Sequence, residues 1–316
     1  MAGPVDAAAW DASGLPIPRR PAAATMSVTA VPDASAPLAT AHSSVAWAGD
    51  LPALPAAAFD LLALVNQEDV DFDELCARLS VDIALTAKVL RLANSSFYGA
   101  RGAVTTVDAA IGRVGLRMVK GIVTAAAVGN AVQPPNCPGF DFGAFWRHAV
   151  ASATAAQMLA FSTGADSSTA FTGGLLYRIG QLVFAAQAPG PFALVLRHHA
   201  ALGGDVIEIE RRVFGLDHAV VGAQVAAHWR LPPVIVQALA QQDPPLAPGQ
   251  APTLGQVVAA ADRMVDAVRT GADPALAGPG AAAPAWTAAG APAGFWAPAA
   301  ADSARQAEAI CGALQG

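Results

Sequence analysis

Charge is scarce in this chain. Of 316 residues, 18 are Lys or Arg and 24 are Asp or Glu, a charged fraction of 13%, where a soluble domain commonly carries about 25%. No lysine- or arginine-rich stripe occurs, and the net charge is −6. A sequence-independent nucleic-acid binder needs a basic face to displace counterions, so no nucleic-acid partner is expected. Cysteine is rarer still. Cys76, Cys137 and Cys311 are far apart and odd in number, which argues against a disulfide framework or a paired-cysteine metal knuckle and fits a reducing cytoplasm. Long apolar runs are missing too, although 54% of the residues are apolar and the mean hydropathy is +0.43. A membrane-spanning helix needs about 20 apolar residues in succession. The most apolar stretch, Met118 to Val132, is alanine-rich and broken by Lys120, Gly121 and Asn130. No membrane span is expected. Nor is a signal peptide: Asp6, Asp11 and several prolines interrupt any leading apolar run, and Arg19-Arg20 sits between prolines. Dinucleotide-binding, P-loop, HExxH, GxSxG and zinc-finger spacings are all absent.

Alanine, proline and helical periodicity are what the chain does have. Residues 1–48 are Ala, Pro, Ser and Thr with isolated charges, too poor in bulky apolar groups to offset ordering entropy, and are expected to be disordered. Residues 271–298 have the same character and are expected to be a linker, with Trp286 and Trp296 lacking a core to join. A short helix is expected over 299–316. Between them, residues 49–270 read as helix after helix. Asp71 with Glu74 has the logic of a capping box. A helix is expected to start at Ser80, with Val81, Leu85, Val89 and Leu92 on its buried line. Thr105 with Asp108 suggests another cap, and Gly112 and Gly115 bracket a break. Further helices fit 142–161, 166–186, 192–201, 205–214, 217–229, 233–241 and 253–269. No run alternates with period two for long enough to make a strand. The expected fold is all-α.

Several polar groups stand where core residues would be expected. His148 follows Phe145-Trp146 and shares a helical face with Ser152, Ala155 and Leu159. His218 heads a line with Val221, Val225 and Trp229. Asp262 lies between Val258 and Val265, and Tyr177-Arg178 interrupts an apolar turn. Burying such groups unpaired costs several kcal/mol. Each could be satisfied separately; four together on different helices point to a shared polar pocket. By contrast, His198-His199 near a helix end read as exposed capping residues, and Glu208, Glu210, Arg211 and Arg212 as a solvated helix face.

Taken in order, Leu51-Pro-Ala-Leu-Pro55, LTAKVLRLANSSFYG (85–99), VDAAIGRVGLRMVK (107–120), FWRHAVASA (145–153), AFTGGLLYRIGQLV (170–183), GLDHAVVGAQVAAHWRLP (215–232) and ADRMVD (261–266) resemble the HDOD domain, a bacterial signalling relative of the HD metal-dependent phosphohydrolases. The resemblance implies a multi-helix HD-like fold over essentially the whole structured body. HD-type hydrolases hold divalent metal through a helical His, a His-Asp doublet, further histidines and a late Asp. His148, His218 and Asp262 match three of these positions. The doublet position carries Tyr177-Arg178, and a position where relatives often carry His-His carries Gln241-Gln242. Tyrosine and glutamine are poor metal ligands, and a guanidinium repels a cation. The resemblance therefore implies a degenerate pocket with no metal and no cofactor, in a protein that is not an enzyme. It further implies a role in cytoplasmic signalling or scaffolding, with signalling proteins or a nucleotide second messenger as the partner. The alternatives are a residual phosphohydrolase using His148, His218 and Asp262, and a nucleotide sensor without hydrolysis in which Arg178 would clamp the phosphate. Because Arg178 brings a fixed positive charge to where the metal charge was, it is expected to pair with Asp262, with Tyr177 or His148 completing the network.

Overall fold

The computed structural model describes residues 64, 71–99, 102–131, 134–240 and 243–315, all within one compact unit spanning Leu38–Gly316. The expectation of disorder over residues 1–48 lies outside the described residues. Among the described residues every regular element is helical.

Helices α1 (Phe72–Val81), α2 (Ile83–Ala93), α3 (Val107–Val114) and α4 (Leu116–Ala131) form the first part. Asp71 caps α1 by accepting from the main-chain N–H groups of Asp73 and Glu74. The next helix does not begin at Ser80. Asp82 is its N-cap, accepting from Leu85 N–H at 3.0 Å, and Val81 is left 84% exposed while Leu85, Val89 and Leu92 are buried. The cap of α3 is likewise Thr106, not Thr105. Gly112 lies inside α3, and the break falls at Gly115, whose φ of 90° suits glycine.

The centre of the molecule is α5 (Phe142–Thr163). Its buried residues run all round the helix, from Phe145 and Ala149 through Ala156 to Ala160, so it must be covered on every side. Against it lie α6 (Ser167–Leu176), α12 (Leu254–Thr270) and the C-terminal α15 (Trp296–Gln315). Alanine on α5 and glycine on α6 let the two backbones approach closely. A Cβ on Gly174 would sit 2.7 Å from the Ala153 Cα and 2.8 Å from the Ser152 carbonyl oxygen. The single helix expected over 166–186 is in fact two, because Tyr177-Arg178 breaks it into α6 and α7 (Ile179–Gln187). After α8 (Pro189–Leu202) and α9 (Val206–Phe214), α10 (His218–His228) packs on α7 and on α11 (Pro233–Leu239). A Cβ on Gly180 would lie 2.1 Å from the His218 carbonyl oxygen, so α7 meets the first turn of α10 backbone to backbone.

The stretch 271–298, expected to be a linker, is folded. Asp273 caps the one-turn α13 (Pro274–Ala277), and Pro284 sits in the first turn of α14 (Ala283–Ala288), where its missing N–H costs nothing. The bulky apolar area that alanine cannot supply comes from Trp286 and Trp296, 2% and 1% exposed. Their rings meet edge to face at 5.8 Å. Trp296 also covers Gly278, where a Cβ would lie 2.4 Å from its ring. Arg263 on α12 ties the segment down by donating to the carbonyls of Ala277 at 3.2 Å and Gly278 at 3.0 Å. The last helix accordingly starts at Trp296, ahead of the expected position 299.

Candidate functional site

The break between α6 and α7 brings Arg178 to the face of α12 that carries Asp262, with His148 and Ser152 of α5 closing the other side. The Arg178 guanidinium meets the Asp262 carboxylate as a fork: Nε is 2.9 Å from Oδ1 and Nη2 is 2.7 Å from Oδ2. His148 donates through Nε2 to Oδ1 at 2.8 Å, a direction required by a carboxylate that only accepts. The Ser152 hydroxyl donates to the same oxygen at 3.3 Å. Arg178 also reaches Asp266, one turn further along α12, at 3.6 Å. The Asp262 side chain is 7% exposed, His148 12% and Arg178 24%.

Burial alone would raise the pKa of Asp262. The Arg178 charge and the His148 hydrogen bond outweigh it and hold the carboxyl far below the usual range. Burial likewise works against the Arg178 cation, and Asp262 overcomes it. Burial and the negative charge of Asp262 push the Tyr177 hydroxyl above its ordinary value, so it stays protonated. The centre is thus a charge-balanced pair with a histidine and a serine on one carboxylate oxygen.

Of the residues expected to share a pocket, His148, Arg178 and Asp262 come together. His218 is held by Glu210. Its Nδ1 lies 2.6 Å from Glu210 Oε2, and its main-chain N–H donates to the same oxygen at 2.8 Å. Glu210 therefore does not belong to a solvated face: it is fully buried, while Glu208, Arg211 and Arg212 are exposed. Its place in the apolar stripe with Val206, Val213 and Phe214 was the available signal. Ser152 and Asp266 were likewise signalled by their spacing, each one turn from a site residue. His198 and His199 are half-buried in α8 rather than exposed. Gln241 and Gln242 lie outside the described residues.

The donor set does not fit a divalent metal of the HD type. Both oxygens of Asp262 are committed to a guanidinium, and one also accepts from His148 Nε2. Among the described residues no group of three or more His, Cys, Asp or Glu side chains could hold a metal ion.

An all-helical body with a His and a late Asp facing an interrupted inner helix defines an HD-like domain. The HDOD domain family model matches residues 51–245. The chain belongs to the HDOD family. It is 26% identical over 192 residues to an uncharacterized protein of Treponema pallidum (strain Nichols), covering 60% of this chain but only 37% of that relative; the chain thus spans well under half of the curated relative it matches. A solved structure from Shewanella amazonensis SB2B, named as a candidate phosphohydrolase, is 30% identical with a TM-score of 0.64, over 84% of this chain and 95% of that one. One from Marinobacter aquaeolei VT8, named as a candidate signal transduction protein, has the same fold at 24% identity. Its TM-score is 0.69, over 84% of this chain and 60% of that one.

Proposed function

We propose that this chain is a non-catalytic signalling or scaffold module that acts by binding a protein or a small effector. The observation that carries the reading is the fork between Arg178 and Asp262, at 2.9 and 2.7 Å. A phosphohydrolase of the HD type needs a metal to lower the pKa of its attacking water. Here the carboxylate that would serve the metal is neutralised by a side chain that cannot lose its proton, so metal entry would have to expel a paired, half-buried guanidinium. The Marinobacter relative carries a name from signal transduction, which agrees with the reading. The Shewanella relative carries an enzyme's name, which agrees with descent from a hydrolase. Three free cysteines, two of them buried, support a reducing compartment, the bacterial cytoplasm.

Metal analysis and turnover of an activated phosphodiester with added manganese, on the same preparation of the full chain, test the reading. The expected result is no stoichiometric metal and no turnover above a heat-inactivated control. One bound iron or manganese per chain together with turnover would overturn it.

A further inference from the structure

A cleft of about 170 Å³ opens where α2, α4, α5 and α15 meet. Ala125, Ala126 and Gly129 give it a wall on α4 with almost no side-chain bulk, and Phe142 and Trp146 bring two rings from α5. Those rings stand one turn apart and meet edge to face at 6.1 Å. Cys311 and Leu314 come from α15. The family match ends at residue 245, so α15 adds a wall that the matched region does not contain. No lining residue belongs to the Arg178–Asp262 centre.

A single charged side chain lines this apolar cleft. Lys88 of α2 is half-buried, and its ammonium has no ion pair or hydrogen bond among the described residues. Two further charges come close at the first turn of α5. Asp141 Oδ1 and Arg147 Nη1 each lie 3.3 Å from the point that a Cβ on Gly143 would take. Opposite in sign around one point, they offset each other, and Asp141 is also spent on the Ala144 N–H at 2.8 Å. Lys88 is left as the uncompensated charge. A lysine on an apolar wall lays its methylene stem along that wall and keeps its ammonium in water. The cation thus marks the mouth, with the rings and small residues behind it.

A cavity of about 150 Å³ lined by apolar side chains takes up benzene, so this cleft has room for one ring or a chain of about six carbons. An apolar interior with one unpaired cation at its mouth matches an amphiphile that carries one negative charge. We propose that the cleft binds a compact apolar monocarboxylate. Its ring or short chain would lie against Trp146 and the small wall of α4, and its carboxylate would meet the Lys88 ammonium. The inference rests on the reading of the chain as an effector-binding module and names the effector class.

Calorimetric titration of the full chain tests it, with phenylacetate and hexanoate as probes. Acetate keeps the charge but lacks the apolar body, and should bind at least about tenfold more weakly, the loss expected for a buried ring or chain. 2-Phenylethylamine keeps the ring but reverses the charge that faces Lys88, and should also fall at least about tenfold. Lys88→Met, which keeps the stem and removes the charge, should erase the preference for phenylacetate over the amine. A Cβ on Gly129 would meet only ring carbons of Trp146, at 3.7 and 4.0 Å, so Gly129→Leu can fill the cleft without displacing backbone. It should abolish binding while a thermal melt shows that the protein is folded. No binding of either acid, acetate binding as well as phenylacetate, an unchanged preference in K88M, or full binding by a folded G129L would each overturn the proposal. Should G129L fail to fold, K88M decides. The metal and turnover measurements are independent of these. A metal-free, inert chain that ignores both acids loses only this inference, and a hydrolase that binds them loses only the non-catalytic reading.

Discussion

The Arg178 guanidinium lies on the Asp262 carboxylate in a two-pronged contact, Nε to Oδ1 at 2.9 Å and Nη2 to Oδ2 at 2.7 Å, across 84 residues of sequence. Breaking it from one side leaves a charge in a site built to hold two. Arg178→Ala should destabilise the protein by about 3–5 kcal/mol in chemical denaturation, because Asp262, 7% exposed, loses its main counter-charge. Replacing both partners, Arg178→Met with Asp262→Leu, should cost much less than the sum of the single changes. A double-mutant cycle that came out additive would mean that the contact carries no coupling.

The same pair sets the acid limb of stability. Asp262 titrates far below its unfolded value, which is about 3.9. Above that value the pair contributes in full. As the pH falls below it, the unfolded chain takes up a proton that the folded carboxylate refuses, and stability falls with a slope approaching about 1.4 kcal/mol per pH unit. Denaturation midpoints followed from neutral pH down to about pH 3 should show a shallower acid limb in the Arg178→Met, Asp262→Leu double variant than in the native chain.

If the guanidinium stands where a metal charge once stood, restoring the doublet should restore affinity for metal. Tyr177→His combined with Arg178→Asp would add an imidazole and a carboxylate to His148 and Asp262, and would remove the cation that now occupies the late carboxylate. The double variant is expected to gain a thermal shift with manganese or zinc that the native chain lacks, since a ligand that binds only the folded state raises its stability. Arg178→Asp with Asp262→Asn, which removes the late carboxylate, should show no such gain.

This centre was largely legible in the sequence, and charge balance is the reason. A carboxylate on an apolar helix face needs a counter-charge, and Arg178 offered one at the point where the helical pattern was interrupted. His148 and Ser152 followed from being one turn apart. The spacing of His218 shows a buried face but does not say which partner shares it; Glu210 sat among charged neighbours and passed for surface. The C-terminal segment was the larger miss. Alanine, glycine and proline leave no hydrophobic stripe to count, so its fold depends on long-range contacts of two tryptophans and of Arg263 that periodicity does not register.

Glu210 and His218 form a second buried pair, 0% and 5% exposed in their side chains, at 2.6 Å. His218→Ala should cost about 3–5 kcal/mol by removing the imidazole and leaving the buried glutamate only the main-chain N–H at 218, and Glu210→Gln less, since an amide oxygen still accepts from the His218 main-chain N–H. Gly180→Ala presses on the same turn: its Cβ would meet the His218 carbonyl oxygen at 2.1 Å, backbone that cannot swing aside. A loss of at least about 1–3 kcal/mol is expected, and a neutral Gly180→Ala in thermal melts would contradict the close approach of α7 and α10.

The tryptophan pair makes the C-terminal segment a structural part of the domain, and this has a direct thermodynamic test. Trp296 touches Trp286 and fills the space over Gly278, and the helix it begins crosses α5, where the Thr154 hydroxyl donates to the Ser303 carbonyl at 3.4 Å. Removing a fully buried indole costs about 3–5 kcal/mol through lost burial and the cavity left behind. Trp296→Ala should therefore lower the midpoint of one cooperative transition seen alike by tryptophan fluorescence and by helical circular dichroism. Trp296→Phe, which keeps an aromatic edge against Trp286, should recover part of the loss. Two separate transitions, with the fluorescence change preceding loss of helix in the native chain, would mean that the segment melts on its own and is not joined to the core through these two rings.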